Sequence, residues 1–155
     1  MAGEPAVTAL APYVAVMPDP TADRVALRHL VDSYAVGCDR RDIDILQACF
    51  VAGGTNTVHW LDRDPTSMTA PHDLERIPTG LARYDRTFHF VGNHRVELDG
   101  DAASGDVYCF AHHITGTNDF VMAIRYEDRY TRTPDGWRIA TRDLRLQWTA
   151  NETIL

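Results

Sequence analysis

The side chains in this chain best suited to moving protons are histidines set among apolar residues: His89 within Phe88-His89-Phe90, and the pair His112-His113 within Phe110-Ala111-His112-His113-Ile114. An ordinary histidine pKa of ~6.5 lets the ring accept a proton near neutral pH. A carboxylate on the second ring nitrogen fixes the tautomer and stabilises the imidazolium. Such a pair can take a proton α to a carbonyl or β to a leaving group. Asp39 lies at the end of an apolar helical pattern, in Gly37-Cys38-Asp39-Arg40-Arg41. Read by itself, it would pair with Arg40 or Arg41 on the surface. For His89 the ordinary reading is a half-buried strand residue satisfied by a backbone carbonyl. Strand alternation sends His112 and His113 to opposite faces, so at most one enters a pocket. The odd set Val107, Cys109, Ala111 and His113 and the even set Tyr108, Phe110 and His112 compete for it.

Other chemistries fit less well. The histidines lack a tight ligand spacing with a third partner, so no metal is expected. No Gly-rich phosphate loop, nucleophile elbow or Cys-His nucleophile motif is present, and no cofactor is expected. Cys38, Cys49 and Cys109 are odd in number and widely spaced, and read as reduced core residues. Trp60, Phe88, Phe110, Phe120 and Trp148 are candidates to line an apolar cavity, although core packing is the commoner fate of such rings.

The 155 residues suit one domain. With 15 Lys+Arg against 22 Asp+Glu and a net charge of −7, no basic run could track phosphates, and nucleic acid is not an expected partner. No stretch approaches the ~20 apolar residues of a membrane span. No membrane partner is expected, and a cytoplasmic setting is the default.

The elements that must position these residues follow from periodicity. Residues 1–20 carry Pro5, Pro12, Pro18 and Pro20 and read as an extended arm. Leu27, Leu30, Val31, Tyr34, Ala35 and Cys38 recur at three and four, giving a helix over 21–38. A second amphipathic stretch over 42–50 should end at Gly53-Gly54. Residues 55–61 read as a strand, 62–73 as a loop, and 74–86 as a short or broken helix because of Pro78 and Gly80. Four β runs, 87–98, 104–115, 118–132 and 136–148, are joined by turn residues into an antiparallel meander, with a bulge near Gly92. Helices followed by a curved meander make an α+β domain enclosing a concavity.

Four segments together resemble the SnoaL-like branch of the NTF2-like (cystatin-like fold) superfamily. They are Tyr34-Ala-Val-Gly-Cys-Asp-Arg-Arg-Asp42 with Leu46 and Phe50, Thr87-Phe-His-Phe-Val-Gly-Asn93, Gly105-Asp-Val-Tyr-Cys109, and Arg125 to Ile139. The resemblance implies a cone-shaped α+β fold over residues 21–148, a strongly curved antiparallel sheet packed on about three N-terminal helices, with 149–155 as a tail. The chain is most similar to the hexachlorocyclohexane dehydrochlorinase and scytalone dehydratase lyases. In these a buried aspartate near the end of the first helix orients a histidine that removes a proton, and the matching positions are Asp39 and His89. The resemblance further implies a pocket arginine at Arg142, past Trp137, and a pocket histidine at His112 or His113. Trp60, Phe88 and Cys109 complete the expected lining. The dehydratase's pair of tyrosines is not evident, and residues 62–86 resemble neither enzyme.

The resulting expectation is a cofactor-independent lyase or isomerase acting on a small apolar cyclic or aromatic molecule, with His89 as base, Asp39 as its partner and Arg142 as anion stabiliser. The competing readings are a non-catalytic binding or accessory subunit, and hydrolysis or cyclisation with Asp39 activating water. A meander face bearing Tyr126, Tyr130 and Trp148 suggests a homodimer or homotrimer.

Overall fold

The computed structural model describes residues 20–155. The arm expected over 1–20 lies, apart from Pro20, outside the described residues.

Helix α1 spans Pro20–Arg40 and buries Leu27, Leu30, Val31, Tyr34, Ala35 and Cys38, the stripe set by the three-and-four spacing. Asp42 then caps α2 (Ile43–Ala48), its side chain accepting from the backbone N–H of Asp44 and Ile45. Helices α1 and α2 approach so closely that a Cβ on Gly37 would lie 3.0 Å from Leu46 Cγ. Glycine is what this crossing can accommodate.

Strand β1 (Phe50–His59) starts earlier than expected, running through Gly53-Gly54. The two glycines do not end a helix. Gly53 takes φ +78°, and the pairing of β1 slips between Phe50 and Thr55, which makes this a bulge. A short strand, β2 (Thr66–Thr69), forms inside the stretch expected as loop and pairs with β1. A turn of 3-10 helix (His72–Glu75) leads into α3 (Arg76–Leu81), the short helix around Pro78 and Gly80.

The meander follows as β3 (Arg86–Asp99), β4 (Ala102–Thr115), β5 (Asn118–Thr133) and β6 (Gly136–Thr153). Residues 149–153, expected in the tail, continue β6, and Asn118 pairs with Thr153. The expected slip near Gly92 is present between Val91 and His94. The sheet order is β2-β1-β6-β5-β4-β3. It is mixed, because β1 pairs with β6 in parallel while the other neighbours are antiparallel.

The core lies between α1, α2 and the concave face of this α+β fold, with Leu27, Val31, Leu46, Val107, Ile139 and Tyr126 sealed from solvent. On β5 the odd residues Arg125 and Glu127 face outward, where Glu127 also bonds Arg145. Tyr126, Asp128 and Tyr130 point inward and are buried. The two tyrosines therefore do not expose apolar surface on the outer face. Phe88, Phe90, Tyr108, Phe110 and Trp148 do, each at least 45% exposed. Asp23 joins the start of α1 to the β5–β6 hairpin, accepting both Arg132 nitrogens and Trp137 Nε1–H.

Candidate active site

The concave face and the 60–84 segment enclose a cavity of about 600 Å³, within the size range of small-molecule sites. Its walls are mostly apolar, with Val58, Met68, Met122, Ile124, Leu144 and Leu146 among them. His89 lines the cavity where β3 passes the last turn of α1.

There the bend of β3 brings His89 against Asp39. His89 Nδ1–H donates to Asp39 Oδ1 over 2.7 Å, and the His89 backbone N–H donates to Asp39 Oδ2 over 2.9 Å. The His89 side chain is 8% exposed and that of Asp39 25%. Burial pushes the Asp39 carboxyl up, but its bonds to His89 more than offset this and hold it below the usual carboxylate value. The carboxylate is thus ionised at neutral pH and fixes the Nδ1–H tautomer, which leaves Nε2 as the acceptor nitrogen of a ring that lines the cavity.

His113, on the inward face of β4, also lines the cavity. Its ring packs edge-on to His89 with centroids 5.7 Å apart, and against Tyr84 at 4.8 Å. Nδ1–H donates to the Phe120 carbonyl over 3.1 Å. Burial, reinforced by the charge of His89, pushes the His113 pKa down to about 4. His113 is therefore neutral near pH 7, and its unshared Nε2 is an acceptor rather than a proton donor.

At the mouth, Trp60 Nε1–H donates to Thr66 Oγ1 over 3.1 Å, which holds the indole in the wall. Among the described residues no three histidine, cysteine, aspartate or glutamate side chains cluster closely enough to hold a metal ion. None of the described helices is long and apolar enough to cross a membrane.

The family model of the SnoaL-like domain matches residues 19–143. The chain belongs to the SnoaL-like family. An uncharacterized protein of Mycobacterium tuberculosis is 29% identical over 123 residues, covering 77% of this chain and 82% of its own length. Among solved structures, hexachlorocyclohexane dehydrochlorinase from Novosphingobium barchaimii superposes with a TM-score of 0.75 at 18% identity, over 86% of this chain and 92% of its own. A protein from Kribbella flavida gives a TM-score of 0.75 at 20% identity, over 85% and 95%. A cystatin-like fold protein from Nostoc punctiforme gives 0.70 at 16% identity, over 81% and 92%. The likeness to these three is one of fold.

Within this SnoaL-like pocket several expected residues sit elsewhere, Phe110 and Trp148 among them on the outer face. Arg142 does not line the cavity. It is fully buried, its Nε and Nη2 donating to the two oxygens of Asp128 over 2.8 and 2.6 Å, with the guanidinium stacked on the rings of Tyr34 and Tyr126. The wall contains those tyrosine rings instead. His112 faces the outer side, where its Nδ1 donates to Asp119 Oδ2 over 2.7 Å. Phe88, in register with it on β3, is 59% exposed on that same side. Cys109 is buried but does not line the cavity, and burial pushes its thiol up to about 11. Asp39, His89, His113 and Trp60 do meet at the site.

Several lining residues of the SnoaL-like pocket were not singled out for it in the sequence. Asn56, Tyr34 and Tyr126 belong to the walls, and inward parity on β5 would have found Tyr126 had the inner face been known. Tyr84, Arg63, Arg76 and Arg83 come from the segment between β1 and β3, whose path the periodicity of the flanking elements does not constrain.

Proposed function

We propose that this SnoaL-like protein is a cofactor-independent lyase or isomerase in which His89 removes a carbon-bound proton from a small cyclic or aromatic substrate. The observation that carries the reading is the two-point contact of Asp39 with His89 at the wall of an apolar cavity. His89 Nε2 accepts the proton, and Asp39 stabilises the imidazolium across Nδ1–H. The C–H electron pair forms a double bond as a leaving group departs, or an enolate from which the proton returns at a second carbon. His113 accepts a hydrogen bond from a substrate hydroxyl or from water. Because Asp128 neutralises Arg142, no developing charge is assigned to that arginine. The shared fold of hexachlorocyclohexane dehydrochlorinase supports elimination as the reaction class.

The test uses α-tetralone, an apolar bicyclic ketone with exchangeable protons next to its carbonyl. In deuterium oxide the protein should speed exchange at that carbon by at least about 100-fold, the range of a placed general base, and His89→Gln should abolish the effect while the ketone still binds. Binding without exchange would turn the reading into that of a binding module.

A further inference from the structure

The rim of the cavity carries a charge opposite to that of the whole molecule. Arg63, Arg76 and Arg83 line it, and among the described lining residues Asp62 is the only carboxylate, although the chain bears a net charge of −7. The arginine–carboxylate pairs among the described residues use Arg28, Arg95, Arg125, Arg132, Arg142 and Arg145. None uses the three at the rim.

Two of these cations sit over aromatic rings of the wall. The Arg63 guanidinium lies 3.9 Å above the Trp60 ring. Arg83 lies 4.9 Å above Tyr84 and donates from Nη2 to its hydroxyl over 2.9 Å. Arg76 donates from Nη1 to the Ser67 carbonyl over 3.2 Å. A guanidinium stacked on a ring keeps edge N–H donors free, and that edge matches the two oxygens of an anion. Tyr84 in turn packs on His113, which packs on His89. Between rim and dyad there is thus a short run of aromatic wall, suited to an apolar ring.

We propose that the substrate is an anion: an apolar ring bearing a carboxylate or phosphate-type group, which Arg63 and Arg83 hold at the mouth, with Arg76 adding charge, while the ring lies toward His89. This names the substrate class of the site read above as a proton-abstracting centre and rests on that reading. The unpaired cations also steer such a molecule to the mouth of an otherwise acidic protein.

Calorimetric titration with naphthoate and its uncharged counterpart naphthamide separates charge from shape. Naphthoate should bind at least about 10-fold tighter, and its advantage should shrink severalfold between about 20 and about 500 mM sodium chloride. In Arg63→Gln/Arg83→Gln the two affinities should converge with that of naphthamide unchanged. Tighter binding of naphthyl phosphate than of naphthoate would assign the site to phosphate-type anions, and the reverse order to carboxylates. Equal affinities in the unaltered protein, a preference that survives the double substitution, or no binding of either naphthalene probe would each overturn the proposal. Repeating the series on His89→Gln keeps the two readings apart, because anion preference should persist there whether or not the unaltered protein catalyses exchange.

Discussion

His89 and Asp39 meet through two hydrogen bonds that use both oxygens of the carboxylate, one from the ring Nδ1–H at 2.7 Å and one from the residue's own backbone N–H at 2.9 Å. The second bond ties the carboxylate to the strand itself, so α1 and β3 cannot shift relative to each other without misaligning the imidazole. The same bonds hold the Asp39 carboxyl below its usual range, which keeps the carboxylate ionised and the imidazole oriented at neutral pH.

Arg142 and Asp128 should behave as a buried structural pair. Both side chains are fully sealed from solvent, and removing one partner leaves an uncompensated buried charge, at a cost of about 3–5 kcal/mol. Urea unfolding of Arg142→Met should show that loss. Arg142→Met/Asp128→Leu should recover most of it, and the proton-exchange activity per folded molecule should stay within about 10-fold of the unaltered protein. A far larger activity loss in a stable double variant would return Arg142 to the chemistry.

Stability should fall on acidification through His113. Its pKa is ordinary in the unfolded chain and about 4 in the folded one, so below ~6.5 the unfolded state takes up a proton that the folded state refuses. The contribution is therefore complete above ~6.5 and is lost as pH falls toward the folded value, by up to about 3 kcal/mol. Thermal unfolding across that window should show a shallower acid slope in His113→Phe. Equal slopes would place the acid sensitivity elsewhere, in Asp39 for example, whose lowered pKa gives the same sign in a more acidic window.

Self-association should occur through the outer sheet face. Phe88, Phe90, Phe110 and Trp148 are about half exposed there, and the Phe110 and Trp148 rings lie 5.7 Å apart. Contiguous aromatic surface of this kind marks interaction sites. Light scattering should give the mass of a dimer or trimer, and Phe110→Glu with Trp148→Glu should give a monomer that keeps the α1–β3 site. A monomeric unaltered protein at micromolar concentration would contradict this.

Much of the fold was legible because it rests on local periodicity. The stripe from Leu27 to Cys38 and the turns around Gly100, Gly116 and Gly136 each act within a few residues. Parity was legible too, but not which parity faces inward. On β4 the choice between His112 and His113 depends on where α1 packs, and on β5 the charge of Asp128 masks the inward parity that it shares with Tyr126 and Tyr130. Arg142 was expected in the pocket from the family resemblance alone; it does face inward, but Asp128 across the β5–β6 ladder holds it. Gly53-Gly54 reads as a helix stop when only neighbours are considered, whereas the parallel pairing with β6 makes it a bulge. The dyad itself, fifty positions apart, came from the resemblance to the family and not from any spacing.

The most direct test of the account is the rate of α-tetralone proton exchange in Asp39→Asn relative to the unaltered protein, with binding of the ketone measured in the same samples. Asn keeps the shape but can neither stabilise the imidazolium nor hold the Nδ1–H tautomer, so exchange should fall by about 100- to 10,000-fold with little change in affinity. An Asp39→Asn protein that folds, binds the ketone and exchanges its protons at the unaltered rate would contradict the claim that Asp39 and His89 work as one base.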